Sequence, residues 1–272
     1  MNQDLITQEK LKQQVKDYWN EQPCGTQFSD SEKLSQEYFN DIEKHRYFVE
    51  PEIFSFAQFT RFHGQKLLEV GVGAGSDFTQ WVRAGTKAHG IDATAEGVAH
   101  VKKRLELFDL YAEEIKVGDA ENLPYLDNFF DIVYSWGVIH HSPDTPKCFR
   151  EIVRVIKPGG KAKIMVYHRH SLLTYFFWIK YALLKGNPFK SLANVLWNNM
   201  ESIGTKAYTK KEIAEILKDQ PIKNLEIKTK ITYYDKMTRF GGIQFLIGRV
   251  LAYILGGDKV GWFLTVEFEK NN

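Results

Sequence analysis

Cysteine is nearly absent from these 272 residues: Cys24 and Cys148 are the whole supply. No Cys-x-x-Cys pair occurs and no residues have zinc-site spacing, so neither a disulfide framework nor a structural metal is expected. Thiols this sparse suit a reducing, cytoplasmic compartment. Net charge is equally thin. The chain has 36 Lys and Arg against 34 Asp and Glu, leaving +2, which is no basic field of the kind that gathers nucleic acid. Long apolar runs are missing too. Leu172–Leu184 is dense in aromatics, and Ile243–Leu255 is apolar apart from Gln244, Gly248 and Arg249. Both fall short of the ~20 residues that cross a bilayer. They read as helices packed over one side of a sheet, or as a surface that meets a lipidic compound or a membrane interface. Met1 to Lys16 is polar and mixed in charge, unlike a targeting peptide. There is no internal repeat and no low-complexity segment.

What is present is 43% apolar sequence, enough for one large α/β domain with appendages. Its most informative stretch is Leu67-Leu68-Glu69-Val70-Gly71-Val72-Gly73-Ala74-Gly75. The apolar run reads as a buried parallel strand. The three glycines read as a tight turn into a helix, where backbone approaches a ligand with no side chain between. The spacing is G-x-G-x-G, one residue tighter than the dinucleotide fingerprint.

Further elements follow at βαβ distances. A helix is expected at about Asp77 to Arg83, then a strand, Lys87 to Asp92. A carboxylate ending the second strand sits beside the ribose of a bound nucleoside, and Asp92 can accept both hydroxyls of a diol. The alternative is a cap for the helix Ala95 to Leu107, for which Thr94 is better placed. A third strand, Glu114 to Val117, enters Gly118-Asp119-Ala120-Glu121-Asn122-Leu123-Pro124. A fourth, Phe130 to Ser135, enters Trp136-Gly137-Val138-Ile139-His140-His141. The next helix is expected to start with Thr145 as cap and Pro146 in its first turn, and to stop at Lys157-Pro158-Gly159-Gly160. Lys161 to Tyr167 is then a fifth strand.

Glu69 before G-x-G-x-G, the G-D-A-x-x-L-P segment and "IKPGGKAKIMVY" after "EIVRV" resemble the class I S-adenosyl-L-methionine-dependent methyltransferases. The resemblance runs from Lys66 to about Tyr167. It is closest to the small-molecule (quinone and sterol, type 11-like) members. It implies an α/β, Rossmann-like, seven-stranded and mostly parallel sheet with an antiparallel last strand. It implies S-adenosyl-L-methionine held by Glu69, Gly71, Gly73, Gly75, Asp92, Ala93, Asp119, Ala120, Ser135 and Trp136. Asp119 would meet the adenine amino group, and Ser135 and Trp136 the methionine part. His140 and His141 are the candidate bases, since histidine titrates near neutrality. The alternative for either is a loop-shaping hydrogen bond. Tyr167 and Arg169 end the fifth strand on the same rim, and Arg169 could hold an anionic group of the acceptor.

Residues 1–65 read as a helical lid, with helices Gln8 to Trp19, Ser31 to His45 and Pro51 to Phe62. Tyr18 and Trp19 would cover the methionine end, or merely pack. Residues 66–272 form the main domain, with helical insertions at about 168–208 and 235–258. Thr209-Lys210-Lys211-Glu212 is a capping box opening a helix to about Lys218. Strands at Lys223 to Tyr233 and Gly261 to Phe268 close the sheet as an antiparallel hairpin. The acceptor is expected to be a small, partly apolar biosynthetic intermediate. "VIHHSPDTPKCFREIVRVIKPGGKAKIMVY" also resembles wobble-uridine tRNA methyltransferases, although the weak charge speaks against nucleic acid. A third reading is a non-catalytic scaffold that binds the same cofactor.

Overall fold

The computed structural model describes residues 3–236, 250, 253–254 and 256–272. Most of the insertion expected at 235–258, including most of the apolar run Ile243–Leu255, lies outside these residues. Seven strands form one sheet: β1 (Lys66–Val70), β2 (Lys87–Asp92), β3 (Glu114–Val117), β4 (Phe130–Trp136), β5 (Ile156–Tyr167), β6 (Ile222–Lys230) and β7 (Phe263–Lys270). Their order is β3-β2-β1-β4-β5-β7-β6. Strands β1 to β5 pair in parallel, and β7 lies antiparallel between β5 and β6. The strand order reverses between β1 and β4. That switch point opens a crevice at the strand C-termini, where open α/β sheets bind ligands.

Alternation along the strands builds two apolar layers. Leu68, Val70 and Val133 face α6 (Thr145–Val155) and α9 (Lys210–Leu217) through Phe149, Ile152 and Ile213. Their neighbours Leu67 and Ile132 face the opposite layer, with Phe78 and Trp81 of α4 (Ser76–Arg83) and Val101 and Leu105 of α5 (Ala95–Leu107). Thr94 caps α5, its hydroxyl accepting from Gly97 N at 3.1 Å. The capping box at Thr209 and Glu212 is formed.

Several boundaries differ from expectation. Helix α1 is longer, Gln3–Glu21. Helix α2 is Gln36–Val49 because Ser35 is its cap, while the Ser31 hydroxyl donates to Asp41 at 2.9 Å. The third helix stops at Ala57 (α3, Glu52–Ala57), since Gln58 turns left-handed with φ 56°. Asp144, not Thr145, caps α6, accepting from Lys147 N at 2.9 Å. Thr145 instead donates its hydroxyl to Ile139 O at 3.0 Å. Strand β5 begins at Ile156 rather than Lys161. Its register jumps between Phe130↔Ile156 and Ile132↔Lys161, and the bulge contains Lys157-Pro158-Gly159-Gly160. A Cβ at Gly160 would stand 2.8 Å from Asp131 O, so the bulge closes only on glycine. Strand β6 stops at Lys230. Beyond it Asp235 gathers the backbone N–H groups of Thr232 and Trp262 at 2.9 and 2.8 Å.

Candidate active site

The crevice is a cavity of about 670 Å³. Its floor is the glycine turn. Gly71, Gly73 and Gly75 all have positive φ, at 83°, 50° and 81°. A Cβ at Gly71 would stand 2.3 Å from Val138, whereas nothing lies within 4 Å of the Gly73 position. The first glycine lets β1 and the β4 loop touch, and the second leaves space open to the cavity. Asp92 fixes this turn: Oδ2 accepts from Gly73 N at 2.9 Å, and Oδ1 accepts from Thr94 N at 2.9 Å. Asp119 stands on the next wall, with Oδ1 accepting from Glu121 N at 2.8 Å.

Helix α1 lies over this half. Lys12 Nζ donates to Asp119 at 2.8 Å and to Glu121 at 2.6 Å. Trp19 sets its ring 5.2 Å from that of His141. Tyr18 and Trp19 both line the cavity, as do Glu69, Ala93, Ala120, Trp136 and Tyr167.

A charged cluster missing from the sequence reading closes the far end. Arg46 of α2 forks onto Asp77 at 2.9 and 2.7 Å. Tyr134 donates to the same carboxylate at 2.9 Å. Glu50 accepts from Trp136 Nε1 at 2.8 Å and lies 3.7 Å from Arg46. Glu69 is buried, and its Oε2 has no partner. Burial, with the Asp77 charge second, raises the Glu69 pKa well above the carboxylate range.

The acceptor side is built from β4, β5 and the loop after α8 (Leu192–Asn199). His140 and His141 form a single 3-10 turn with Ile139. Their rings part company. His140 is fully buried against Tyr167, with ring centroids 4.0 Å apart and neither nitrogen partnered. It does not line the cavity, and burial takes its pKa well below the usual imidazole value. His141 does line the cavity. Its Nδ1 lies 2.9 Å from the Ser202 hydroxyl and 3.1 Å from that of Thr205. Burial lowers its pKa to about 3.

Glu201, next to Ser202, faces the same space with its side chain 39% exposed. Tyr167 donates to its Oε2 at 3.1 Å, and His141 Nε2 is 3.7 Å away. Desolvation in the cavity wall outweighs the Tyr167 hydrogen bond and, with the Glu50 charge, pushes the Glu201 pKa up to about 7. Glu201 lay in a stretch read only as insertion, and no spacing linked it to the sheet. Cys24 also lines the cavity, where its thiol is pushed up to about 12 and stays protonated. Besides His140, two expected residues lie off the cavity. Ser135 donates to Val70 O at 3.0 Å inside the sheet. Arg169 is committed to Glu212 at 2.8 Å and to Ala207 O. Among the described residues no His, Cys, Asp and Glu group could hold a metal ion.

Residues 68–164 match the methyltransferase domain family. Phosphoethanolamine N-methyltransferase 2 of Caenorhabditis elegans is 37% identical over 38% of this chain and 24% of its own length. Demethylmenaquinone methyltransferase of Bacillus mycoides is 29% identical over 52% of this chain and 62% of its own. The matches thus span less than two thirds of either relative. Among solved structures, a Haemonchus contortus phosphoethanolamine N-methyltransferase 2 superposes with TM-score 0.60 at 18% identity, covering 95% of this chain and 60% of that one. A Haloferax volcanii methyltransferase solved with its Trm112 activator gives 0.59 at 17%, covering 86% and 96%. Residues 68–164 thus match the methyltransferase domain family, and the seven-stranded sheet has the Rossmann-like arrangement of the class I methyltransferase fold.

Proposed function

We propose that the protein is an S-adenosyl-L-methionine-dependent methyltransferase acting on a small, partly apolar biosynthetic intermediate. One observation carries the reading. A single cavity is faced by the glycine turn, Asp92 and Asp119 on one side and by Glu201, His141 and Tyr167 on the other. The residues fit the cofactor: Gly73 leaves room for it, and Glu69 holds an orphaned buried oxygen suited to an ammonium group. Asp92 would take the ribose diol, Asp119 with Ala120 the adenine, and Arg46 the carboxylate. When bound, the cofactor supplies an electrophilic methyl on a sulfonium whose positive charge disappears on transfer.

The protein's own part is alignment, exclusion of water and proton removal. Alignment is worth ~7–11 kcal/mol when the reacting atoms are held in line. Tyr18 and Trp19 on α1 would close the cavity over them, making residues 1–65 a lid on the domain 66–272. Glu201 is the better base. Its pKa of about 7 suits taking a proton near neutrality, whereas His141 at about 3 is a weak acceptor. His141 then positions Glu201. Tyr167, Trp262, Met200 and Phe177 on the acceptor walls favour a compact, partly apolar molecule. The free thiols Cys24 and Cys148 support a reducing, cytoplasmic setting.

The test is isothermal titration with S-adenosyl-L-methionine, S-adenosylhomocysteine and NAD. Binding of the first two and not the third is expected. No binding of either adenosyl ligand overturns the reading.

A further inference from the structure

Between Ser171 and Met200 the chain carries Lys180, Lys185 and Lys190 and no Asp or Glu. The same stretch contains helix α7 (Leu172–Tyr181), which has two distinct faces. Leu173 and Phe177, one turn apart, line the cavity. Tyr175 and Ile179 occupy the opposite side at i and i+4, and Leu183 follows at i+8; all three are exposed. Beyond the helix, Leu184 is 75% and Phe189 97% exposed.

These residues belong to one fixed surface. Asn187 N donates to Ala182 O at 3.0 Å and folds the chain back after α7. Trp178 Nε1 donates to Lys190 O at 2.7 Å and ties the returning chain to the helix. The result is an apolar ridge interleaved with lysines. Exposed apolar residues scattered singly need no explanation, but a contiguous set marks an interaction surface. Lysines without a single local acid select an anionic partner. Aromatic rings beside lysine stems are suited to the headgroup layer of a bilayer. Among the described residues no helix is long and apolar enough to cross a membrane, so contact would be in the plane of the surface.

We propose that α7 and the turn 182–190 dock on an anionic phospholipid bilayer. The docking rests on the surface alone. A corollary rests on the methyltransferase reading: α7 would be the wall between bilayer and cavity, so the acceptor would enter from the lipid interface.

The experiment is co-sedimentation of the full chain with vesicles of phosphatidylcholine alone or mixed with phosphatidylglycerol. Sedimentation is expected only with the anionic lipid, and raised salt should release the protein. Each of Lys180→Ala, Lys185→Ala and Lys190→Ala should lower the partition coefficient about fivefold, the equivalent of ~1 kcal/mol per lysine near such a surface. Leu184→Ser with Phe189→Ser should abolish binding while the melting temperature stays near wild type, which separates loss of docking from misfolding. Equal binding to neutral vesicles, or binding to neither, overturns the proposal. So does a dimer in sedimentation velocity that the serine variants dissolve without any vesicle binding. Failure of the cofactor reading would appear in the titration with adenosyl ligands and leave these results unchanged.

Discussion

Lys12 Nζ stands 2.8 Å from Asp119 Oδ2, so helix α1 is clamped to the carboxylate proposed to meet adenine. The pair is partly exposed, and such pairs contribute only ~0–1 kcal/mol. Lys12→Met is therefore expected to leave the global melting temperature nearly unchanged and to loosen α1 alone. Limited trypsin digestion should cut the variant faster at Lys10 and Lys16, and S-adenosylhomocysteine should slow it. Equal cutting of variant and wild type would remove Lys12 from the clamp.

Asp92 is both a turn-former and the proposed ribose acceptor. Asn at this position can still accept from Thr94 N, but its amide would face the N–H of Gly73. Hydrogen bonds to a charged group contribute about 1.5–3 kcal/mol. Asp92→Asn should thus weaken S-adenosylhomocysteine more than tenfold, and Asp92→Ala at least as much. Wild-type affinity in either variant would displace the ribose site.

Much of this half was legible in the sequence because its signals are local. The strand Lys87–Asp92, the helix Ala95–Leu107 and the strand Glu114–Val117 lie where their pattern put them. Spacing within a βαβ unit put the glycines and Asp92 on one crevice, and the family resemblance added Glu69 and Asp119, which line it too. The acceptor half was not legible. Glu201 meets His141 across 60 residues of sequence, and Arg46 reaches Asp77 from a helix ahead of the sheet. No periodicity encodes such tertiary meetings. Adjacent His140 and His141 were equivalent as letters, yet the 3-10 turn sends one ring into the core and the other to the cavity.

The buried histidines make a prediction about acid stability. Burial lowers the pKa of His140 well below 6.5 and that of His141 to about 3. As pH falls through 6.5, the unfolded chain binds protons that the folded one refuses, so stability is lost toward acid. The limiting slope is ~1.4 kcal/mol per pH unit for each histidine. His140→Phe needs no ring hydrogen bonds, so stability near pH 7 should hold and the slope below 6.5 should flatten. Urea unfolding at several pH values measures both. An unchanged slope would contradict a neutral, buried His140.

Glu69 is held neutral by burial and by the Asp77 charge. An ammonium arriving beside its unpaired Oε2 would ionise it. Binding of S-adenosylhomocysteine should therefore release a proton and tighten as pH rises. Titration in buffers of different ionisation enthalpy counts that proton, and Glu69→Gln should abolish it. Proton uptake, or a count unaffected by Glu69→Gln, would place the ammonium elsewhere.

Glu201 and His141 compete for the role of base, and their pKa values separate them. If Glu201 removes the proton, turnover with an acceptor found by screening rises through pH about 7, as its carboxyl ionises. Glu201→Gln should then lower kcat about 10²–10⁴-fold, the usual share of general base catalysis, and erase that limb. S-adenosylhomocysteine affinity should stay near wild type. His141→Ala should retain the limb, displaced in pH by the altered surroundings of Glu201, because its imidazole stays neutral down to about pH 3. The converse, a limb that survives Glu201→Gln and vanishes with His141→Ala, would return the chemistry to the histidine and leave Glu201 as its orienting partner.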